Sequence, residues 1–334
     1  MNIAIVGATG NVGRKILEVI EKLNFKFSEL YLIASDRSVG KKITFQNKNY
    51  SIIGIDNFDF SKVKIAFFSA GSAIAEKWAP LAAKKTIVID NSKYFRMNKE
   101  IPLVVPEVNS ESLKQYKNKN IIANANCSTI QLVVVLKPLH DKFKIKRVVV
   151  STYQSVSGGG KNHMMELEEQ TKSVLEDKKF KSKNFTKQIA FNVIPHIDSF
   201  MDDGSTKEEW KMVVETKKIL DPSINLTATC VRVPVFVGHS ESVNIEFDNN
   251  INIEKIKSCL TSAPGCKVVD EHKDGGYITP AEIDGDFITY ISRIREDKTQ
   301  KNSINMWVVS DNLLKGAALN AVQIAQLLCE KYLK

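Results

Sequence analysis

The sequence predicts an α/β protein of two domains: an N-terminal Rossmann-type parallel sheet followed by an α+β domain. Three observations predict it. Short apolar runs alternate with helical periodicity through the first part of the chain, the rhythm of a parallel sheet covered by helices. A glycine-rich turn, Gly7-Ala8-Thr9-Gly10-Asn11-Val12-Gly13, joins the first strand to the first helix. Beyond Cys127 the strand-like runs continue with fewer helices between them. A chain of 334 residues suits two domains.

The elements follow in order. Asn2–Val6 is an apolar run ending at Gly7 and reads as a buried strand. Gly10–Leu23 carries Val12, Ile16, Val19, Ile20 and Leu23 at helical spacing. Leu30–Ala34 is a second strand, and Ile43–Ile53 reads as extended chain on a less buried edge. Lys64–Phe68 is a strand, Ala73–Lys84 a helix that tolerates Pro80, and Thr86–Ile89 and Asn120–Ala123 are further strands. Ser128–Lys137 is an apolar helix that Pro138 is expected to stop. Arg147–Ser155 is a strand that runs into Ser157-Gly158-Gly159-Gly160, and Met164–Asp177 reads as an exposed helix. Thr227–Val237, Ser242–Phe247, Phe287–Arg295 and Ser303–Val309 predict a mixed or antiparallel sheet. Leu313–Leu328 is a final amphipathic helix.

Composition narrows the function classes. Apolar residues make up 43% and charged residues 25%, which excludes a disordered chain. The net charge of +9 comes from scattered lysines with no nucleic-acid motif beside them, so no nucleic-acid partner is expected. The five cysteines are odd in number and form no CxxC, which argues against a disulfide framework and a metal site. No apolar run reaches the roughly 18 residues of a membrane span, so no membrane partner is expected. The opening apolar stretch is too short for a signal peptide. These features together predict a reducing, cytoplasmic setting.

The glycine-rich turn has GxxGxxG spacing. Glycine lets the backbone approach a pyrophosphate, and a helix start offers amide donors and a positive dipole end. Arg37 and Ser38 follow the second strand, where a cation and a hydroxyl suit a 2′-phosphate, so NADP is the expected cofactor. Cys127 stands between a strand and an apolar helix in Asn126-Cys127-Ser128-Thr129. A thiol there is expected to favour the thiolate, and the nearby amides can hold an oxyanion. A thiol nucleophile needs a base. His239 lies seven residues after Arg232, and Pro234 and Gly238 between them can break the strand register. Spacing leaves open whether the two share a pocket or are surface groups.

Taken together these segments resemble the aspartate-semialdehyde dehydrogenases. The likeness runs through GATGNVG, NANCST, YQSVSGGGK, NVIPHIDSF, EEWKMVVETKKIL, RVPVFVGHSES and SDNLLKGAALNAVQIA, in the family's order. It implies NADPH-dependent reductive dephosphorylation of L-aspartyl 4-phosphate to L-aspartate 4-semialdehyde, through a cysteine thioester. That reaction feeds lysine, threonine and methionine synthesis.

The likeness assigns residues by position. Cys127 resembles the acyl-thioester nucleophile, His239 the acid–base and Gln154 the residue that orients the acyl group. Arg232 resembles the clamp on the substrate α-carboxylate and Glu215 the partner of its ammonium. Arg96, Asn126 and Lys218 resemble the phosphate site. Thr9, Gly10, Asn11, Val12, Arg37, Ser38, Ser157, Gly158 and Asn312 resemble the cofactor contacts.

The likeness also implies an NADP-binding domain over residues 1–127. The C-terminal helix, about 311–334, packs back on it, and residues 128–310 form a catalytic and dimerisation domain. A homodimer or homotetramer is expected. Four positions depart from the family pattern: Ala125 for Pro, Gly159 for Ala, Leu314 for Arg, and Ile278 in a stretch where YPTP is frequent. Two other readings stay open. One is N-acetyl-γ-glutamyl-phosphate reductase, with the same thiol chemistry on an acetylated acid; the other is a catalytically silent dinucleotide-binding protein.

Overall fold

The computed structural model describes residues 1–333. They divide into two compact units, the first made of Met1–Ala125 and the C-terminal residues from Ala317, the second of Asn126–Gly316. The division places Asn126 and Cys127 with the second unit, a few residues from the boundary expected at 127/128.

In the first unit, β1 (Ile3–Val6), α1 (Asn11–Lys22) and β2 (Leu30–Ala34) open the chain. Next come β3 (Lys42–Phe45), β4 (Lys48–Gly54), β5 (Ile65–Phe68), α2 (Ser72–Ala82) and β6 (Ile87–Asp90). β7 (Leu103–Val104), α3 (Pro106–Asn109) and β8 (Ile121–Asn124) complete this part. The strands form one sheet in the order β3-β4-β2-β1-β5-β6-β8-β7. All neighbours are parallel except β3 and β4. The central strands are apolar at every position and buried throughout, as a sheet covered on both faces requires. The single edge segment expected over Ile43–Ile53 is instead a hairpin. Gln46 and Asn47, both at positive φ, make its two-residue turn.

The second unit begins with α4 (Cys127–Phe143) and β9 (Ile145–Gln154). After them come α5 (Lys161–Leu175), α6 (Lys207–Ile219), β10 (Asn225–Arg232) and β11 (His239–Phe247). α7 (Ile253–Thr261), β12 (Cys266–Val268), β13 (Thr289–Glu296) and β14 (Ser303–Ser310) follow. Its sheet runs β10-β9-β11-β14-β13-β12. It is mixed: β9–β10 and β12–β13 are parallel, the other pairs antiparallel. Leu132, Leu136, Leu139, Met212, Ile256 and Leu260 from the helices pack with Val148, Val150, Val243, Ile291, Ile304 and Val308 from the strands.

Two expectations are corrected here. Pro138 does not stop α4, which continues to Phe143 and ends at Lys144, at φ 59°. Proline removes one backbone donor and frees the carbonyl four residues back. That carbonyl, Val134, faces the Cys266 thiol at 3.9 Å, and the buried Leu139 and Phe143 hold the last turn in the core. The strand read over Thr227–Val237 ends at Arg232, because Pro234 cannot donate to a ladder and Gly238 turns at φ 94°. The last helix, α8 (Leu319–Lys331), is preceded by a π-helical turn over Leu314–Ala318 and belongs with the first unit. It packs against α1. Among the described residues, no helix is long and apolar enough to cross a membrane.

Candidate active site

In the first unit, the glycine turn passes from β1 into α1 beside a cavity of about 310 Å³. Val6, Gly7, Thr9, Gly10, Ile33, Ala34 and Ser35 line it with Ser69 and Ala70. Gly7 sits at φ 89°, and a Cβ there would lie 2.6 Å from the Ser69 carbonyl oxygen. A side chain at this position would therefore block the close approach of β1 to the loop after β5. Thr9 and Gly10 face the cavity. Asn11 and Val12 lie in the first turn of α1 and do not line it. Arg37 and Ser38 form a short 3-10 turn directly after β2, with Arg37 exposed. Backbone donors at a helix start and a glycine-lined apolar pocket fit a dinucleotide.

In the second unit, Asn126 caps α4 and fixes Cys127 as its first residue. The Asn126 side-chain oxygen accepts from the Ser128 and Thr129 amides at 3.0 and 3.2 Å. Such a cap is worth about 1 kcal/mol. Here the cap is itself held. The Asn126 amide nitrogen donates to Glu208 at 2.8 Å, and its backbone N–H donates to Glu215 at 2.6 Å. Gly316 lies against the other side, where a Cβ would come within 2.8 Å of the Cys127 Cβ.

Three strands deliver the remaining groups to one end of the sheet. Arg232, the last residue of β10, is in register with Gln154, the last of β9. His239, the first of β11, is in register with Ser310 on β14. Cys230, Thr152 and Glu241 lie one pleat below, on the same face as Arg232, Gln154 and His239. Arg232 and His239 do share a site: both lie within 3.4 Å of where a Cβ on Gly158 would stand. Arg232 donates to the Ser155 carbonyl at 2.6 Å and feels the charge of Glu208 and the Cys127 thiol.

The His239 ring is fully buried. Its Nδ1 accepts the Ser155 backbone N–H at 3.1 Å, which leaves the proton of the neutral ring on Nε2. Nε2 is buried and makes no hydrogen bond. Burial first, and then the Arg232 charge, bring the imidazole down to about 3.

Glu208 is a buried carboxylate. Burial would raise its pKa, but the Lys211 charge and hydrogen bonds from Lys211, Asn126 and Gln154 hold it down at about 2. Gln154 donates to it at 3.1 Å, and Lys211 ties it to Asp198. Asn312 is committed within the unit: its oxygen accepts from Ser155, Ser157 and Gly238, which braces the loop beside His239. Lys218 is half-buried, its pKa lowered by burial against the opposing pull of Glu215. In the first unit, Arg96 is buried and donates to the Asn124 and Asn91 carbonyls.

Sequence reading missed Glu208 and Lys211. The signal was present, because Glu-x-x-Lys spacing occurs twice on α6, at Glu208/Lys211 and at Glu215/Lys218, seven residues apart on one face. One departure also gains a reason. A Cβ at Gly159 would stand 2.5 Å from the His163 ring, so glycine makes room for that histidine.

Comparison with known proteins covers both units. The family model "Semialdehyde dehydrogenase, NAD binding domain" matches residues 2–116, and "Semialdehyde dehydrogenase, dimerisation domain" matches residues 136–315. The chain is 51% identical to an aspartate-semialdehyde dehydrogenase of Aquifex aeolicus over 98% of each chain. It is 49% identical to that of Rickettsia bellii, over 99% of this chain and 98% of the relative. A crystal structure of aspartate semialdehyde dehydrogenase II from Vibrio cholerae, complexed with ASA, superposes with a TM-score of 0.97. That chain is 48% identical, with 99% of this chain and 98% of the other covered.

Proposed function

The chain belongs to the aspartate-semialdehyde dehydrogenase family and is an oxidoreductase of that activity, and on that premise we propose how its residues divide the work. The observation that carries the reading is the buried cluster of Gln154, Arg232, His239 and Glu208 around the capped start of α4. Its cofactor is a nicotinamide dinucleotide, and its substrate is a small molecule. The reaction proposed is reductive dephosphorylation of L-aspartyl 4-phosphate.

Cys127 attacks the acyl carbon and forms a thioester as phosphate leaves. When bound, the nicotinamide supplies the hydride that reduces the thioester to a thiohemiacetal. Gln154 orients the acyl group. His239 presents Nε2–H to the oxygen on which negative charge develops, and a donor aimed at developing charge in a dry site is worth most there. Arg232 clamps the α-carboxylate. Arg96 and Lys218 take the leaving phosphate. Asn126 acts through Cys127, since its amide and its backbone N–H are both engaged in holding the helix start.

For the substrate ammonium, geometry favours Glu208 over Glu215. Both carboxylates hold the cap, but Glu208 also accepts a hydrogen bond from Gln154 and lies within electrostatic reach of Arg232 and His239, whereas Glu215 meets the cap's backbone N–H. The test follows phosphate-dependent cofactor reduction with aspartate semialdehyde, beside N-acetylglutamate semialdehyde. Wild-type enzyme should use the first and not the second. Glu208→Gln should lose roughly 100-fold in kcat/KM for aspartate semialdehyde, as expected for a broken buried charge pair. Glu215→Gln should lose mainly kcat, through a loosened helix start. A selective rise in KM with Glu215→Gln and none with Glu208→Gln would return the role to Glu215. Faster turnover of the acetylated aldehyde would remove the substrate assignment.

We propose NADP as the cofactor, held by Thr9, Gly10, Asn11 and Val12 at the glycine turn and by Arg37 and Ser38 at the 2′-phosphate, with Ser157 and Gly158 at the nicotinamide end. Arg37→Glu should raise KM for NADPH far more than for NADH, because only NADPH carries the phosphate. Equal effects on both would show that Arg37 does not read it. A homodimer through the second unit is proposed as the working form. Phe191, Val193 and Phe200, exposed in the connection between α5 and α6, give that unit apolar surface to bury. Five cysteines, odd in number and with no CxxC among them, suit a reducing cytoplasm.

A further inference from the structure

The connection between α5 and α6, residues 176–206, contains no helix or strand, and an irregular stretch of that length inside a compact domain usually carries a function. Two side chains of α5 tie it down. Glu166 and Gln170 lie one turn apart on the same face of the helix and are 5% and 1% exposed. Glu166 Oε1 accepts from the Lys183 backbone N–H and from the Gln170 amide, both at 2.9 Å. Its Oε2 accepts from the Asn184 backbone N–H and side-chain amide, each at 2.6 Å. Gln170 Oε1 accepts from the backbone N–H groups of Ile189 and Ala190 at 2.8 and 3.3 Å. Gln170 Nε2 also donates to the Ser182 hydroxyl at 3.3 Å.

The two side chains use their full hydrogen-bonding capacity. Four donors meet the two Glu166 oxygens, which is the role of an ionised carboxylate, a group that only accepts. Gln170 engages both lone pairs and both amide hydrogens, so exchanging its oxygen and nitrogen would break all of these bonds. A buried network satisfied throughout specifies one arrangement of the chain it holds. Beside it, Leu167 of α5 packs with Val156, Ile189, Ala190 and Ile194 in a small apolar cluster, apart from the main core of the unit.

What the network seats is the backbone partner of Arg232. Ile194 forms an isolated antiparallel bridge with Arg232. The Ile194 N–H donates to the Arg232 carbonyl at 2.9 Å, and the Arg232 N–H donates to the Ile194 carbonyl at 2.8 Å. β10 is an edge strand of its sheet, so Ile194 closes the open side of that strand at the residue that carries the clamp. The guanidinium is braced from the same cluster: it donates to the Ser155 carbonyl at 2.6 Å, next to the clustered Val156. We propose that Glu166 and Gln170 are positioning residues for substrate recognition: they seat the α5–α6 connection, and through Ile194 they fix where the Arg232 guanidinium meets the substrate carboxylate. They act through Arg232 and not on substrate. The proposal rests on the reading that Arg232 holds the α-carboxylate.

The test uses the full-length enzyme with aspartate semialdehyde as substrate and 3-aminopropanal, the same aldehyde without its α-carboxylate, as a competing inhibitor. Gln170→Leu removes the acceptor for Ile189 and Ala190; Glu166→Gln keeps the size but turns a donor towards donors. Each should raise KM for aspartate semialdehyde roughly 10-fold, part of the worth of a charge-assisted fork, and leave the inhibition constant of 3-aminopropanal within about twofold. The double variant should do little more than the worse single one, because both release one segment. Amide hydrogen exchange gives a readout apart from activity. The Arg232 N–H, protected by Ile194, should exchange faster in both variants, while the β11 amides keep wild-type protection. Equal shifts in the two constants would mean that the variants loosen the site at large, and no shift in either would mean that Arg232 is fixed without the connection. Each of these results overturns the proposal, and so does unchanged exchange at Arg232. Should Gln170→Leu fail to fold, Glu166→Gln decides with the same readouts. Arg232→Ala assayed alongside separates the two levels: an unaltered KM there removes the carboxylate clamp, while exchange at Arg232 in the α5 variants still reports whether the connection seats it.

Discussion

A Cys127→Ala enzyme is expected to lose turnover by roughly 10⁴-fold or more while still binding its cofactor, because no other group can form the thioester. The same assignment is read chemically in the unaltered protein. Iodoacetamide should abolish activity with one label per chain, carried by Cys127. The other thiols give this experiment its selectivity. Burial raises the pKa of Cys230, Cys259 and Cys329, so each is a poorer nucleophile at neutral pH. Cys127 instead opens α4, at the positive end of the helix dipole. Activity lost with the label on Cys230 or Cys266 would sink the assignment. Gly316 offers a second arm. Alanine there would drive a methyl against the Cys127 Cβ, and it should slow labelling and turnover together.

The parts of this molecule that were legible in the sequence are those with a local cause. The strands of the first sheet are buried on both faces, so they appear as unbroken apolar runs with sharp ends at Gly7 and Ala34. The glycine turn was legible because strand, turn and helix are consecutive. The hairpin of β3 and β4 was not, because its turn is Gln46-Asn47, and glutamine carries no signal for positive φ. Pro138 misled in the other direction. Its local cost is real, but α4 is buried along almost its whole length, and that burial outweighs one missing hydrogen bond.

The candidate site divides along the same line. Cys127 and the Arg232–His239 segment sit at element ends, where turn residues mark them. Whether Arg232 and His239 met was undecidable from spacing. It depends on β10 stopping at Arg232, so that six residues of irregular chain bring His239 back beside it. Glu208 and Glu215 carry the same spacing to a lysine on the same helix face. Only the packing of α6 against the start of α4 separates them, because that packing decides which carboxylate meets the cap's side chain and Gln154 and which meets its backbone. Glu241 was silent for a further reason. A single acid in a strand reads as solvent-facing until the sheet is assembled and its face is seen to be the core.

His239→Asn is expected to lower turnover roughly 100-fold or more while substrate affinity stays near normal, the pattern of a lost proton-handling group. The structure adds a second readout that does not depend on assay. The imidazole lies at about 3 in the fold against an ordinary 6.5. The folded protein therefore holds the ring neutral while the unfolded chain takes up a proton below 6.5. A depressed folded value makes the contribution to stability present above 6.5 and lost as the pH falls from there towards 3. By pH 5 that loss is about 2 kcal/mol, in a window where ordinary carboxylates have scarcely begun to titrate. Urea denaturation at pH 7 and pH 5 should then show a larger drop for wild type than for His239→Asn, whatever the variant's stability at pH 7. Equal drops would mean that the ring is charged or exposed in the folded enzyme, and the donor role at Nε2 would fall with it. A turnover unchanged by His239→Asn, with only KM raised, would move the residue from chemistry to binding. The two measurements are independent, since one reads the ring's proton in the resting protein and the other its use in the transition state. The neutral ring with its proton on Nε2 predicts both.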